Sequence, residues 1–333
     1  LNYDGGKFLI TGANGFVASY FIEYLNSKQP AALILGVDTL EEPNCGYKNF
    51  QYLQLNLMDK AALSNVLKNF MPDYIVHLAS VSSVSKSWQE PVESFQNNTN
   101  IFLNLIESIR ELNIKTRILS VGSSEEYGEY SESEMPLKEH YELHPNNPYS
   151  VARVAQELLS SLYAKSYGLD IVITRSFNHM GPRQKDIFVI PSFIKQLVGI
   201  ADNSQAGVIN TGNIEVVRDF LDVRDVVEIY YNLLFKGISG EVYNVCSGTG
   251  LKLKEIIAMI VSLLNIDVHI NVDKTRVRPN ETMVITGDNS KIKACTGWEQ
   301  RFSLEQTLSD MIDFQRKNRD EKEASIHRPL LSQ

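Results

Sequence analysis

The chain has 333 residues, 43% of them hydrophobic and 22% charged, which excludes a disordered, collagen-like or coiled-coil chain and, at roughly 150 residues per domain, fits two domains or one large α/β domain with an appended lobe. The net charge is −8 and the basic residues are scattered, so the basic patch that a nucleic-acid partner requires is missing. Cys45, Cys246 and Cys295 form neither a CxxC pair nor a disulfide framework, no apolar run approaches the roughly 18 residues of a membrane span, and Leu1–Gly6 does not read as a signal peptide; the expectation is a cytoplasmic protein.

Taken in chain order, short apolar runs alternate with helical spacing. Lys7–Thr11 predicts a strand and 15–26 a helix. Further strands are predicted at 31–37, 50–55, 74–78, 118–121 and 169–175. Asp59 reads as the cap of a helix through Phe70, and Pro91 and Pro148 as the first turns of two long helices. In the Pro148 helix, Val151, Val154, Ala155, Leu158 and Leu162 are expected to form the packed stripe. This alternation predicts a Rossmann-type doubly wound parallel sheet covered on both faces.

Beyond Arg175 the pattern is less regular. Helices are predicted at 191–200, 223–234, 253–264 and 304–317, with short strands at 208–209, 242–245 and 268–270. The expected organisation is a cofactor-binding domain over 1–177 and a smaller C-terminal α/β lobe over 178–316. Part of 215–238 is expected to return to the first domain, and 317–333 to form a charged, solvated tail. No His, Cys, Asp or Glu spacing reads as a metal site.

Thr11-Gly12-Ala13-Asn14-Gly15-Phe16-Val17-Ala18 passes from strand to tight turn to helix. Gly12 permits the turn, and Gly15 lets backbone approach a diphosphate at a helix N-terminus, where free amides favour anions. Asp38 ends the second strand about 20 residues on, where a carboxylate accepts both adenosine ribose hydroxyls and repels a 2′-phosphate. This favours NAD, with NADP possible. Asn56 and Leu57 follow the third strand and are candidates for the adenine edge.

Tyr149 and Arg153 are four residues apart and share a helix face. A guanidinium beside a phenol favours the phenolate. Ser123, ending the fifth strand, adds a hydroxyl, and a Tyr–Ser pair can hold a carbonyl oxygen and pass it a proton during hydride transfer. On spacing alone, the same pair also reads as an exposed helix start.

Nine motifs in order carry a resemblance: Thr11-Gly12-x-x-Gly15-Phe16-Val17, His77-Leu78-Ala79, Asn98, Gly122-Ser123-Ser124-Glu125-Glu126-Tyr127-Gly128, Pro148-Tyr149-Ser150-Val151, Asn178-His179-Met180-Gly181-Pro182, Arg218-Asp219-Phe220-x-Asp222-Val223, Tyr243-Asn244-Val245 and Arg278-Pro279. The chain resembles the extended short-chain dehydrogenases/reductases of the nucleotide-sugar epimerase/dehydratase group. Within it, the chain is most similar to the GDP-4-keto-6-deoxy-D-mannose reductases and the GDP-mannose 4,6-dehydratases.

The resemblance implies catalysis by Ser123, Tyr149 and Arg153, with Glu125 as the carboxylate that dehydratases use. It implies cofactor contacts from Gly12, Asn14, Gly15, Phe16, Val17, Asp38, Asn56, Leu57, Leu78, Ala79, Ser80, Asn98, Tyr149 and Arg153. It implies substrate contacts from Ser82, Ser123, Ser124, Glu125, Asn178, Arg183, Arg218 and Arg278, and a homodimer through the Pro91 and Pro148 helices.

Two departures stand out. Arg153 replaces the lysine of the family's Tyr-x-x-x-Lys, and Val81-Ser82-Ser83 replaces a Gln-Ser-His-like run. The expected activity is an NAD(P)-dependent oxidoreduction at carbon 4 of a nucleotide-linked hexose or 6-deoxyhexose, GDP being the expected nucleotide. The alternatives are a 4,6-dehydratase or epimerase with retained NAD, or a nucleotide-binding scaffold.

Overall fold

A computed structural model describes residues 5–44, 46–202, 207–276 and 281–326. The first half runs β1 (Lys7–Thr11), α1 (Phe16–Lys28), β2 (Leu33–Asp38), β3 (Phe50–Gln54), α2 (Lys60–Phe70), β4 (Tyr74–His77), α3 (Val84–Gln89), α4 (Pro91–Phe95), α5 (Ile101–Glu111), β5 (Arg117–Ser123), α6 (Pro148–Tyr167) and β6 (Asp170–Ser176). The remainder runs β7 (Asn178–Met180), α7 (Val189–Asp202), β8 (Gly207–Thr211), β9 (Val217–Asp222), α8 (Val223–Lys236), β10 (Val242–Val245), β11 (Gly250–Lys252), α9 (Leu253–Leu264), β12 (Val268–Val272), β13 (Val284–Ile285), α10 (Ser290–Thr296) and α11 (Leu304–Ile326).

Seven parallel strands in the order β10-β6-β5-β4-β1-β2-β3 form the main sheet. Strand order reverses between β1 and β4, and ligands of such sheets bind beyond the strand C-termini at that switch point. One face is covered by α1, α8 and α10 through Phe21, Leu25, Tyr230, Leu233 and Ile292. The other is covered by α2, α5 and α6 through Leu63, Leu67, Phe102, Leu105 and Tyr163. β10 therefore belongs to the main sheet although it lies far along the chain, and α8 returns to pack on α1.

The smaller lobe packs α7, α9 and α11 around Phe193, Leu197, Ile256, Ile260 and Leu308. β8 and β12 pair with each other. A small sheet of β11, β9 and β13, with β7 on β9, joins the lobe to the end of β6. These strands have two to six residues, too few to show a period, and only β8, β10 and β12 left a legible apolar run.

Local signals explain most boundaries. Asp59 caps α2 by accepting from the Ala62 amide at 2.9 Å. Pro148 opens α6 behind the cap Asn147, whose Oδ1 accepts from the Ser150 amide at 2.8 Å. The Pro91 helix is interrupted by a π-helical segment over Gln96–Asn100, and α3 precedes it.

One expectation is refined and another corrected. Of the expected charged tail, residues 317–326 continue α11 to Ile326, with an Arg319–Asp202 ion pair at 2.8 Å, and residues 327–333 lie outside the described residues. The stripe expected to pack α6 is largely exposed, with Val151, Leu158 and Leu162 at 44%, 62% and 52%. The buried face carries Tyr149, Arg153, Gln156, Glu157 and Ser160, since α6 docks on β5 and β6 through hydrogen bonds.

Candidate active site

The C-terminal ends of β1, β2, β4 and β5 bring Gly12, Asp38, Leu78 and Ser123 to one edge of the sheet. Gly12 has a positive φ of 68°, and a Cβ there would lie 2.8 Å from the Ala79 backbone, so only glycine allows the turn to close against the β4 loop. Gly15 starts α1 without a side-chain cap. The amides of Phe16 and Val17 lie in the unpaired first turn of α1, an arrangement suited to a diphosphate.

Asp38 is held by backbone. Its Oδ2 accepts from Asn14 N at 3.0 Å, and its Oδ1 from Thr39 N at 2.7 Å and Leu40 N at 3.3 Å. Asn14 also donates to Glu42 O and Tyr52 Oη, and Asn44 closes back on it. The 39–44 segment is thus tied over the glycine turn. Asn56 is exposed beyond β3 and accepts from Met58 N, while Leu57 is buried.

Ser80 is half-buried and Ser82 exposed in the β4 loop. Asn98, expected at the cofactor, bonds the β4 loop. It is fully buried, its Oδ1 accepts from Val81 N at 2.9 Å, and its Nδ2 donates to Val81 O and Ser94 Oγ. Asn98 shapes the loop carrying Leu78, Ala79 and Ser80.

Ser123 and Glu126 make a reciprocal turn. Ser123 Oγ accepts from Glu125 N at 3.2 Å, and Glu126 Oε1 accepts from Ser123 N at 2.6 Å. Glu125 accepts from Asn147 Nδ2 at 3.1 Å, so the cap of α6 also holds this carboxylate. Ser124 is buried between them. Burial, and then the charge of Glu157, push the Glu126 carboxyl well up. Beneath it, Arg175 grips Glu157 through two bonds of 2.7 and 2.8 Å.

Tyr149 and Arg153 are both buried, which settles the helix-start alternative against exposure. The Arg153 guanidinium lies 5.2 Å from the Tyr149 ring centroid. Its Nη1 donates to Val121 O at 3.1 Å and to Gln156 Oε1 at 2.6 Å. Its Nε is buried without a partner. His77 is buried beside it, donating or accepting at Thr11 Oγ1 over 2.9 Å; burial and Arg153 press its pKa down to about 3, so it is neutral.

Asn178 opens β7, opposite Phe220 of β9. Arg218 lies in β9, with Nη1 on Val217 O at 2.9 Å and Met283 O at 3.5 Å. The neighbouring acids are occupied: Asp219 accepts from the Ser247, Gly248 and Gly287 amides, and Asp222 pairs with Arg224 at 2.7 Å. Arg183 is engaged by α1, lying 3.8 Å over the Tyr20 ring and pairing with Glu23 at 3.0 Å. Arg278 lies outside the described residues. A cleft of about 550 Å³ at the opposite edge of the sheet is lined by Arg110 and Arg117, which are already paired with Glu107 and Asp170.

Sequence reasoning missed Gln156, Glu126, Glu157, Asn147 and Tyr230. Signals existed for two of them: Ser123-x-x-Glu126 is a capping-box spacing, and 149, 153, 156, 160 and 163 form a polar stripe of alternating four and three.

Comparison with known proteins agrees with this geometry. The family model described as GDP-mannose 4,6 dehydratase matches residues 9–311. The GDP-6-deoxy-D-mannose reductase of Pseudomonas aeruginosa is 31% identical over 316 residues, covering 95% of this chain and 99% of that protein. The GDP-6-deoxy-D-talose 4-dehydrogenase of Aggregatibacter actinomycetemcomitans is 29% identical over 307 residues, covering 92% and 96%. The solved structure of RMD from Pseudomonas aeruginosa complexed with NADPH superposes with a TM-score of 0.81 at 29% identity, covering 94% and 99%. A glycine turn at the switch point, a buried Tyr149–Arg153 pair against β5 and a match over nearly the whole length have one explanation: the chain belongs to the GDP-mannose 4,6 dehydratase family of extended short-chain dehydrogenases/reductases.

Proposed function

We propose that this protein is an NAD(P)-dependent reductase or dehydrogenase acting at carbon 4 of a GDP-linked hexose or 6-deoxyhexose. The carrying observation is the position of Arg153, bonded to Val121 two residues before Ser123 and lying on the Tyr149 ring. It draws the start of α6 against the end of β5 that carries the serine.

The residues fit the cofactor. The Gly12 turn, which a Cβ would obstruct, and the first amides of α1 suit its diphosphate. Asp38 suits an unphosphorylated ribose. Leu57, Leu78, Ala79 and Ser80 would line its path, and the unpaired Arg153 Nε–H can bond the nicotinamide ribose. NAD(P)H, when bound, supplies hydride to carbon 4.

In this reading Tyr149 delivers a proton to the carbon 4 oxygen, and Ser123 holds that oxygen by its hydroxyl. Arg153 stabilises the phenolate left behind. Asn178, Arg218 and Arg278 would hold the substrate diphosphate, Arg being suited to bidentate phosphate binding. The names of the two GDP-sugar relatives support the nucleotide.

A second reading is a 4,6-dehydratase, favoured by the Asn147–Glu125 bond, which aims a carboxylate beside Ser123. Incubating the protein with GDP-, dTDP-, UDP- and CDP-linked hexoses and their 4-keto derivatives, with and without NADH or NADPH, and with mass detection, separates the two. A gain of two hydrogens on a GDP-4-keto sugar supports reduction. Loss of water from a GDP-hexose without added cofactor supports the dehydratase and overturns the first reading.

We also propose a homodimer. Val92, Phe95, Val151, Leu158 and Leu162 are exposed on α4 and α6, which pack side by side, and a second copy would bury this apolar face. Among the described residues no helix is long and apolar enough to cross a membrane.

A further inference from the structure

We infer that Gln156 is a positioning residue for Arg153, a neutral acceptor that orients the guanidinium while leaving its charge available to Tyr149. The inference rests on the reading of Tyr149 and Arg153 given above. A lysine needs little orientation, because its ammonium is compact and rotates freely. A guanidinium is a planar fork and works only when its plane is set.

The structure sets that plane at one end. Arg153 Nη1 donates to Gln156 Oε1 at 2.6 Å and to Val121 O at 3.1 Å. The Gln156 amide is itself fixed, because its Nε2 donates to Ser120 Oγ at 2.9 Å and to Val121 O at 3.2 Å. Ser160 holds Ser120 in turn over 2.9 Å. Gln156 is buried throughout. The chain of bonds therefore runs from the buried face of α6 to the guanidinium and stops there, with Nε still unpaired.

This acceptor is also neutral. The next residue, Glu157, takes Arg175 in a two-bond ion pair. One helix thus supplies a carboxylate to the guanidinium that braces the fold and an amide to the one beside Tyr149. Among the described residues no carboxylate pairs with Arg153. The titratable groups facing it are Tyr149 on its own helix, the neutral His77 on β4 and Tyr230 on α8, which burial keeps protonated. A carboxylate at 156 would draw the positive charge away from the phenol.

The test compares the wild type, Gln156→Leu, Arg153→Lys, the double variant and Gln156→Glu. NADH affinity is measured by fluorescence, and turnover is followed against pH. Gln156→Leu is expected to weaken NADH binding and turnover about tenfold with Arg153 present, the worth of one hydrogen bond to a charged group. In the Arg153→Lys background the same change should cost under about twofold, since the two residues no longer couple. Gln156→Glu preserves shape, and the alkaline limb of its rate profile should move up in pH. Equal losses in both backgrounds, or an unmoved profile in Gln156→Glu, overturn the inference and leave Gln156 as packing between α6 and β5. If the wild type binds NADH but reduces no 4-keto sugar nucleotide, the proposed reaction fails, while the NADH affinities still decide the role of Gln156.

Discussion

Replacing Asp38 by asparagine removes one charge at the end of β2 and one bond from the backbone of the glycine turn. The remaining carbonyl oxygen can still accept from Thr39 N and Leu40 N, which Oδ1 does at 2.7 and 3.3 Å, while the bond from Asn14 N to Oδ2 at 3.0 Å is lost. The surroundings do not offset the carboxylate: Glu41 and Glu42 carry the same sign, and Lys48 is the one basic residue between positions 39 and 59. One phosphate charge about 4 Å from a carboxylate is repelled by about 1 kcal/mol in water and about 4 kcal/mol at an effective dielectric of 20. Asp38 is half-buried, so about 2–3 kcal/mol is the working figure, or roughly 30- to 150-fold in the ratio of NADPH to NADH dissociation constants. Fluorescence titration of both cofactors, at low and high salt, measures that ratio. The wild type should prefer NADH, the gap should narrow in Asp38→Asn, and salt should narrow it in the wild type. A wild type that binds NADPH more tightly, or a ratio indifferent to the substitution, refutes the reasoning.

Three further outcomes are expected. Tyr149→Phe should lower turnover by about 10²–10⁴ while NADH binding stays within a few fold, and retention of a tenth of the activity would place the acid elsewhere. Glu126→Gln should flatten the pH dependence of stability. The folded carboxyl is raised above its ordinary 4.5, so its stabilising contribution is full below that value and is lost as pH rises toward the folded one. The slope in that window approaches about 1.4 kcal/mol per pH unit, and denaturant titrations of equal slope in both proteins would contradict the assignment. Leu158→Glu, at a position 62% exposed, should turn a dimer into a folded monomer by light scattering; a wild-type monomer at micromolar concentration removes the proposed interface.

The local code for the first half was legible because each device is short-range. A parallel strand buried on both faces reads as an apolar run, as at Phe8–Ile10 and Ile118–Leu119. The glycine turn, the Asp59 cap and the proline at the start of α6 each act within a few residues. These determined the strand-helix alternation, the place of the glycine turn and, with the motif order, the candidacy of Ser123, Tyr149 and Asp38. The tertiary structure decided what depends on partners distant in the chain. β10 joins β6 across some seventy positions of register, Val242 opposite Ile173, and no local signal carries that pairing. α6 looked packed on its apolar side, yet it docks by its polar one, because Ser120, Val121 and Arg175 offer hydrogen-bond partners that satisfy Arg153, Gln156 and Glu157 away from water. Only the assembled sheet shows that Asn98 bonds Val81 and that Arg183 meets Tyr20 and Glu23. A residue type states what a side chain can bond, but the fold settles which partner reaches it first.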